Sequence, residues 1–97
     1  MTFIISVEDF FSKNHHLALP FQEIQWKKKE FLKRLGKQIV KLRMKKDWTQ
    51  SDLARACDKD SQNIERVENG KTNPTAFYLR QISQALEVPL KKLFEFD

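Results

Sequence analysis

Residues 49–71 constrain the fold of this 97-residue chain more than any other segment. Apolar residues recur there at helical spacing in two short runs, made up of Leu53, Ala54, Cys57, Ile64 and Val67. Polar residues at positions 58–60 separate the two runs. The pattern predicts two short helices that share one apolar core and are joined by a turn, which is the arrangement of a helix-turn-helix motif.

Capping residues indicate where these two helices begin and end. Thr49 can act as an N-cap and Asp52 completes a capping-box-like start, so the first helix is expected to begin directly after Thr49. Asp58 is expected to take the turn at positive φ, where it is less strained than a β-branched residue. An N-cap at position 60 or 61 starts the second helix. Gly70 ends it, because glycine adopts the left-handed conformation without a Cβ penalty.

The face of the second helix opposite to its apolar residues is polar. It carries Ser61, Gln62, Asn63 and Arg66. Amide and guanidinium groups can form paired hydrogen bonds with base edges, Gln62 with adenine and Arg66 with guanine. This face therefore indicates contact with DNA bases.

On these residues and their neighbours, the chain resembles the lambdoid phage repressor and Cro (XRE-type) family of DNA-binding domains. The matching residues are Leu42, Arg43, Thr49, Gln50, Leu53, Ala54, Cys57, Ile64, Glu65, Val67, Glu68, Asn69, Gly70, Lys71, Thr72, Pro74, Ala85, Leu86, Leu93 and Phe94. The resemblance spans residues 31–94 and implies an all-α, five-helix lambda-repressor-like fold. Helices are expected near residues 31–46, 50–57, 61–69, 75–86 and 89–94.

The chain departs from the family pattern at two points. Asp58 stands where the family more often has glycine. Val88-Pro89 replaces the usual polar cap before the fifth helix, although proline suits a helix start. Neither change is expected to prevent the fold.

The resemblance also implies roles for individual residues. Base contacts are expected from Ser61, Gln62, Asn63 and Arg66. Backbone contacts are expected from Arg43, Gln50, Asn69, Lys71 and Thr72, with Gln50 also bracing the start of the recognition helix. Arg43 is expected to pair with Glu68 and to hold the first helix against the recognition helix. Breaking such a partly buried pair from one side costs on the order of 3–5 kcal/mol.

The chain divides into an N-terminal apolar extension at residues 1–28 and an XRE-like domain at residues 29–97, with the helix-turn-helix motif at about 49–69. The extension matches nothing in the family, yet it holds too much apolar surface for an unattached tail. It is expected either to pack on its own domain or to join a dimer interface. The dimerisation candidates are Phe3, Ile5, Phe10 and Phe11 in the extension and Leu90, Leu93, Phe94 and Phe96 at the end of the domain.

The net charge of +5 is unevenly distributed along the chain. Residues 1–25 carry −2, so residues 26–97 carry +7, which suits a polyanionic partner. Most basic residues between positions 27 and 46 are expected to be ordinary surface charge on an amphipathic helix, because apolar residues recur among them at helical spacing. Gly36 within that helix indicates a bend or a close helix approach.

The sequence shows no catalytic constellation, metal site or cofactor motif, so an enzyme is not expected. His15 and His16 are adjacent and cannot share a helix face as metal ligands. The single cysteine, Cys57, excludes an internal disulfide, fits a reducing cytoplasm and is expected to pack in the core. The apolar run at residues 3–5 is too short to span a membrane, so no membrane partner is expected.

Together these observations predict a transcriptional regulator of the bacterial or phage cytoplasm. It is expected to bind double-stranded DNA at a palindromic operator as a homodimer, without a cofactor. Two alternatives stay open. One is a controller protein of a restriction–modification operon, and the other is an antitoxin that represses its own operon and binds a toxin partner through the apolar extension.

Overall fold

The computed structural model of the protein describes residues 20–96, with side chains described from Lys27 onward. Its elements are α1 Pro20–Met44, α2 Gln50–Ala56, α3 Ser61–Glu68, α4 Ala76–Leu86 and a 3-10 helix Leu90–Phe94. Residues 20–96 contain no β-strand, so this part of the chain is all-helical, as predicted. No helix within it is both long and apolar enough to cross a membrane.

Helix α1 begins at Pro20, well before the predicted start near residue 31. Proline is favoured at a first helical position, because the N–H that it lacks would be unpaired there and its φ already suits a helix. Residues 21–30 contain neither glycine nor proline to interrupt the helix. Helix α1 therefore continues across residues 28 and 29, between which the sequence analysis places the boundary of the N-terminal extension. The dimerisation candidates Phe3, Ile5, Phe10 and Phe11 lie outside the described residues.

The starts of α2 and α3 confirm the predicted caps. The Thr49 hydroxyl accepts from the Asp52 N–H at 3.1 Å, and the Asp52 carboxylate accepts from the Thr49 N–H at 2.8 Å, which completes a capping box. The hydrogen bond from the Thr49 N–H lowers the pKa of the Asp52 carboxyl. Asp58 adopts φ 59° in the turn. The Asp60 carboxylate then caps α3 by accepting from the Asn63 N–H at 2.9 Å.

One apolar core joins the four α-helices and the 3-10 helix. Its most deeply buried side chains are Leu35, Ile39, Leu53, Ile64, Val67, Ile82 and Leu93. Cys57 also belongs to this core, and burial raises the pKa of its thiol. Cys57 is therefore a packing residue that stays protonated at neutral pH, which agrees with the core position predicted from the sequence.

Helices α1 and α3 approach each other closely at Gly36. A Cβ atom at this position would collide with the backbone carbonyl of Glu68 and would lie 2.6 Å from the carbonyl oxygen of Val67. Of the two roles that the sequence leaves open for Gly36, the structure shows the close helix approach. The contact places α1 directly against the last turn of α3.

The fifth element is a 3-10 helix rather than the predicted α-helix. Pro89 lies at its N-cap in an extended conformation, and the element is five residues long. So short a run holds fewer than two turns. Bonds of the i→i+3 type can close it, as the Lys92 N–H does with the Pro89 carbonyl at 2.9 Å. The Gln38 side-chain amide donates to the Lys92 carbonyl at 2.8 Å. This hydrogen bond holds the 3-10 helix against α1.

Replacing Gly36 with alanine tests the close approach of α1 and α3. We expect Gly36→Ala to lower the free energy of unfolding by about 1–3 kcal/mol, because crowding two backbone carbonyls outweighs the ~1 kcal/mol that alanine gains in helix propensity. Urea denaturation measures the change. Lys37→Ala, at the exposed neighbouring position of α1, is the control and should stay within about 0.5 kcal/mol of the parent protein. A Gly36→Ala protein as stable as its parent would contradict the contact.

Candidate nucleic-acid interface

Helix α3 presents a polar face to solvent. Among the residues predicted to contact bases, Ser61, Gln62 and Arg66 are exposed and Asn63 is half-buried. Ile64 on the opposite face is fully buried, which fixes the rotation of α3 about its axis. The exposed amide and guanidinium groups are therefore held on one side of the helix, where a duplex groove can receive them.

A bidentate ion pair ties α1 to the end of α3. Arg43 Nε donates to Glu68 Oε2 at 2.7 Å, and Arg43 Nη2 donates to Glu68 Oε1 at 3.0 Å. The Glu68 side chain is 2% exposed and the Arg43 side chain 12%. The hydrogen bonds to Glu68 raise the pKa of the Arg43 guanidinium despite its partial burial. The structure thus brings together the two residues that the sequence analysis expects to pair.

The same carboxylate also accepts a hydrogen bond from a second helix, through Gln50 of α2. Gln50 Nε2 donates to Glu68 Oε1 at 2.8 Å, so α2 is tied to the last residue of α3. The expectation that Gln50 braces the start of the recognition helix was wrong, because the contact lies at the other end. No sequence signal connects Gln50 with Glu68, since the two residues lie on different helices and helical spacing rules apply only within one helix.

Arg43 also reaches the segment between α1 and α2. Its Nη1 donates to the backbone carbonyl of Trp48 at 2.7 Å. The three recorded Arg43 hydrogen bonds therefore fix the end of α1, the approach to α2 and the end of α3 relative to one another. Arg43 belongs to the scaffold of the site, although part of its guanidinium still borders the surface.

The chain leaves α3 through a Schellman motif. The Lys71 N–H donates to the Arg66 carbonyl at 2.8 Å, and the Gly70 N–H donates to the Val67 carbonyl at 3.1 Å. Gly70 adopts φ 69°, the left-handed conformation predicted for it. The reversal places the side chain of Lys71 on the surface beside the end of the recognition helix.

Glu65 organises two of the predicted backbone contacts, and the sequence analysis gave it no role. Its carboxylate accepts from Asn69 Nδ2 at 2.6 Å and lies 3.3 Å from Lys71 Nζ. A phosphate bound at this point would compete with Glu65 for the same donors. The spacing of four residues between Glu65 and Asn69 was the available sequence signal. Thr72, the third predicted residue of the loop, is half-buried.

An aromatic patch lies on α1 and the 3-10 helix. The rings of Phe31 and Phe94 stack with centroids 6.3 Å apart, and Phe96 packs on Phe31 at 5.6 Å. Leu90 and Phe94 are 41% exposed and Phe31 is 46% exposed. Phe31 was missed as a surface residue because the helical spacing placed it on the apolar face. The expectation that Leu93 joins a dimer interface was wrong, because its side chain is fully buried within the monomer.

Comparisons with known proteins agree with this arrangement. The model of the helix-turn-helix family matches residues 39–93. The crystal structure of the restriction-modification controller protein C.AhdI from Aeromonas hydrophila is similar, with 27% sequence identity and a TM-score of 0.64 over 65% of this chain and 91% of that one. A hypothetical transcription factor, NHTF, from Neisseria is 25% identical, with a TM-score of 0.67 over 71% of this chain and 79% of that one. No curated protein sequence matches the chain.

Removing the buried carboxylate tests how far the site depends on it. We expect Glu68→Ala to destabilise the protein by on the order of 3–5 kcal/mol, because it leaves the Arg43 guanidinium partly desolvated and unpaired. Guanidinium chloride denaturation measures the effect. Glu30→Ala is the matched control, since it removes an exposed ion pair to Arg34 of the same 2.7 Å length and should cost less than about 1 kcal/mol. Equal losses in the two variants would show that burial gives the Arg43–Glu68 pair no special weight.

Proposed function

The chain belongs to the XRE-type helix-turn-helix family of DNA-binding transcriptional regulators, and from this we propose that it binds a palindromic operator as a homodimer, with α3 in the major groove. The 3-10 helix would then stand in place of the fifth helix of a lambda-repressor-like domain. Binding to the chromosome places the protein in the cytoplasm, and no enzymatic step is required of it.

The observation that carries this proposal is the exposed polar face of α3. Gln62 can donate to and accept from the N6/N7 edge of adenine, and Arg66 can give two parallel hydrogen bonds to O6 and N7 of guanine. Ser61 lies at the first position of α3, and Asn63 adds a half-buried amide near it. Because the opposite face of α3 is buried, these groups approach a groove without rearranging the core.

The loop after α3 supports the proposal with sequence-independent contacts. Lys71, Asn69 and Thr72 follow the recognition helix directly and would hold the phosphate backbone. Glu65 holds the Lys71 and Asn69 side chains next to each other in the unbound protein, and a phosphate would replace the Glu65 carboxylate at these donors. Arg43 and Gln50 contribute mainly through Glu68, by fixing the position of α3.

The aromatic patch supports the dimer. A monomer that contacts one half-site rarely discriminates among many genomic sites, so a second subunit is needed. Phe31, Leu90 and Phe94 expose apolar surface that a second subunit could cover. Related helix-turn-helix dimers place their recognition helices one DNA turn apart, so half-site centres should lie about 10 base pairs apart.

A restriction–modification controller is the second candidate. The similarity that favours it is to the controller protein C.AhdI, 91% of which is covered. A methyltransferase and a restriction endonuclease encoded beside this chain, with the operator upstream of its own gene, would support that assignment. If neither enzyme were encoded beside this chain, the controller assignment would be contradicted. The antitoxin alternative stays a prediction from the N-terminal extension.

Alanine variants separate base contacts from backbone contacts. The operator is taken as the sequence that the parent protein selects from genomic DNA. We expect Arg66→Ala to cost about 1–3 kcal/mol on this operator and to relax preference at one base pair in each half-site. Lys71→Ala should weaken all duplexes alike and make binding less dependent on salt, because it removes a phosphate contact. Titrations of the operator and of duplexes with single substitutions measure both effects. If Arg66→Ala weakened every duplex equally, Arg66 would be a phosphate contact instead.

Glutamate substitutions test the dimer surface. We expect Leu90→Glu/Phe94→Glu to sediment as a monomer at concentrations where the parent protein is a dimer, because two charges would enter an apolar interface. Phe77→Glu is the control, since it charges an exposed aromatic residue at the start of α4, outside the aromatic patch. A folded Leu90→Glu/Phe94→Glu protein that dimerised like its parent would exclude this surface from the interface.

A further inference from the structure

Among residues 27–96, the ion pairs leave much of the basic charge on α1 without an acidic partner. Between positions 27 and 41 the helix holds seven basic residues and one acidic residue, Glu30. The Glu30 carboxylate is already bound to Arg34 at 2.7 Å. No ion pair recorded for residues 27–96 includes Lys29 or Lys33, and both side chains are exposed. These two lysines are four residues apart, so they lie on one face and repel each other.

The same side of α1 touches the loop that follows the recognition helix. A Cβ atom on Gly70 would lie 2.9 Å from the Cα of Lys33 and 3.0 Å from its Cγ. The base of the Lys33 side chain therefore packs against this loop at Gly70. Lys71 is the next residue of the loop and is exposed. Lys29 lies one turn further along α1, about 6 Å from Lys33 along the helix axis. Lys33 thus lies beside the loop that carries Lys71, and Lys29 lies one helical turn from Lys33. Lys29 and Lys33 together are called the α1 edge.

This edge matches the spacing of charge on a duplex. Each strand of B-DNA carries one phosphate per ~3.4 Å along its axis, so the 6 Å step from Lys33 to Lys29 covers less than two base pairs. A phosphate backbone held at Lys71 could therefore continue past both α1 lysines. It would also relieve the repulsion between their ammonium groups.

We infer that Lys29 and Lys33 extend the phosphate contact of the loop along α1, so that each subunit binds DNA backbone beyond the helix-turn-helix motif. The inference rests on the proposed function, because it takes the loop at residues 69–72 as a backbone contact. It assigns a binding role to a part of α1 that lies outside the residues matched by the family model. The contacts would strengthen binding without adding sequence preference.

Salt titrations of two double variants test the inference. Lys29→Gln/Lys33→Gln removes the α1 edge, whereas the control Lys27→Gln/Lys91→Gln removes the same charge elsewhere. Lys27 is a third of a turn away from Lys33 around α1, and Lys91 belongs to the 3-10 helix. All four positions are exposed, so thermal unfolding should show both variants folded like the parent. The probes are the operator duplex selected by the parent protein and an unrelated duplex of equal length.

The expected result is a change in the slope of log affinity against log salt. Each lost phosphate contact reduces the magnitude of the slope by about 0.9, so Lys29→Gln/Lys33→Gln should reduce it by about 1.8 per subunit on both duplexes. The control variant should keep the parent slope. Equal slopes in the two double variants would overturn the inference.

The same titrations keep the inference separate from the proposed function. A parent protein that bound both duplexes equally would contradict sequence-specific operator binding. The difference in slope between the two double variants would still decide whether Lys29 and Lys33 contact phosphates, because that measurement needs no preference for sequence.

Discussion

The buried carboxylate of Glu68 is the contact on which the arrangement of the first three helices depends. Its two oxygens accept from Arg43 of α1 and Gln50 of α2, at distances between 2.7 and 3.0 Å. The backbone carbonyl of Glu68 faces Gly36, and any side chain at position 36 would collide with that carbonyl. A carboxylate that is 2% exposed is tolerated only with such donors, because an unpaired buried charge is strongly destabilising. Helices α1, α2 and α3 therefore meet at one residue.

This contact has a direct consequence for recognition. Ile64 and Val67 fix which face of α3 is buried, and the Glu68 contacts fix where the helix ends relative to α1 and α2. Gln62 and Arg66 are consequently presented by a helix whose rotation and position are both set before DNA binds. A preorganised surface loses less conformational entropy on binding, so more of its contact energy contributes to affinity. In the loop that follows α3, the Glu65 carboxylate likewise holds the side chains of Asn69 and Lys71 in place in the unbound protein.

Sequence reasoning was most successful where structure is decided locally. The capping box at Thr49, the positive φ of Asp58 and the left-handed Gly70 each follow from the chemistry of one or two residues. Sequence reasoning failed where a contact depends on how distant parts of the chain pack together. Nothing in the spacing of Gln50 connects it to Glu68, and the exposure of Phe31 depends on how the 3-10 helix packs. The early start of α1 was the exception, since Pro20 was a usable local signal for a helix start.

The most direct test of this account is a crystal structure of the protein bound to the operator selected from genomic DNA. The account predicts two subunits with α3 of each in the major groove, and Gln62 and Arg66 within hydrogen-bond distance, about 2.7–3.2 Å, of base edges. It also predicts that the Arg43–Glu68 pair persists unchanged in the complex. A complex in which α3 lay outside the major groove, or in which Gln62 and Arg66 contacted only phosphates, would contradict it.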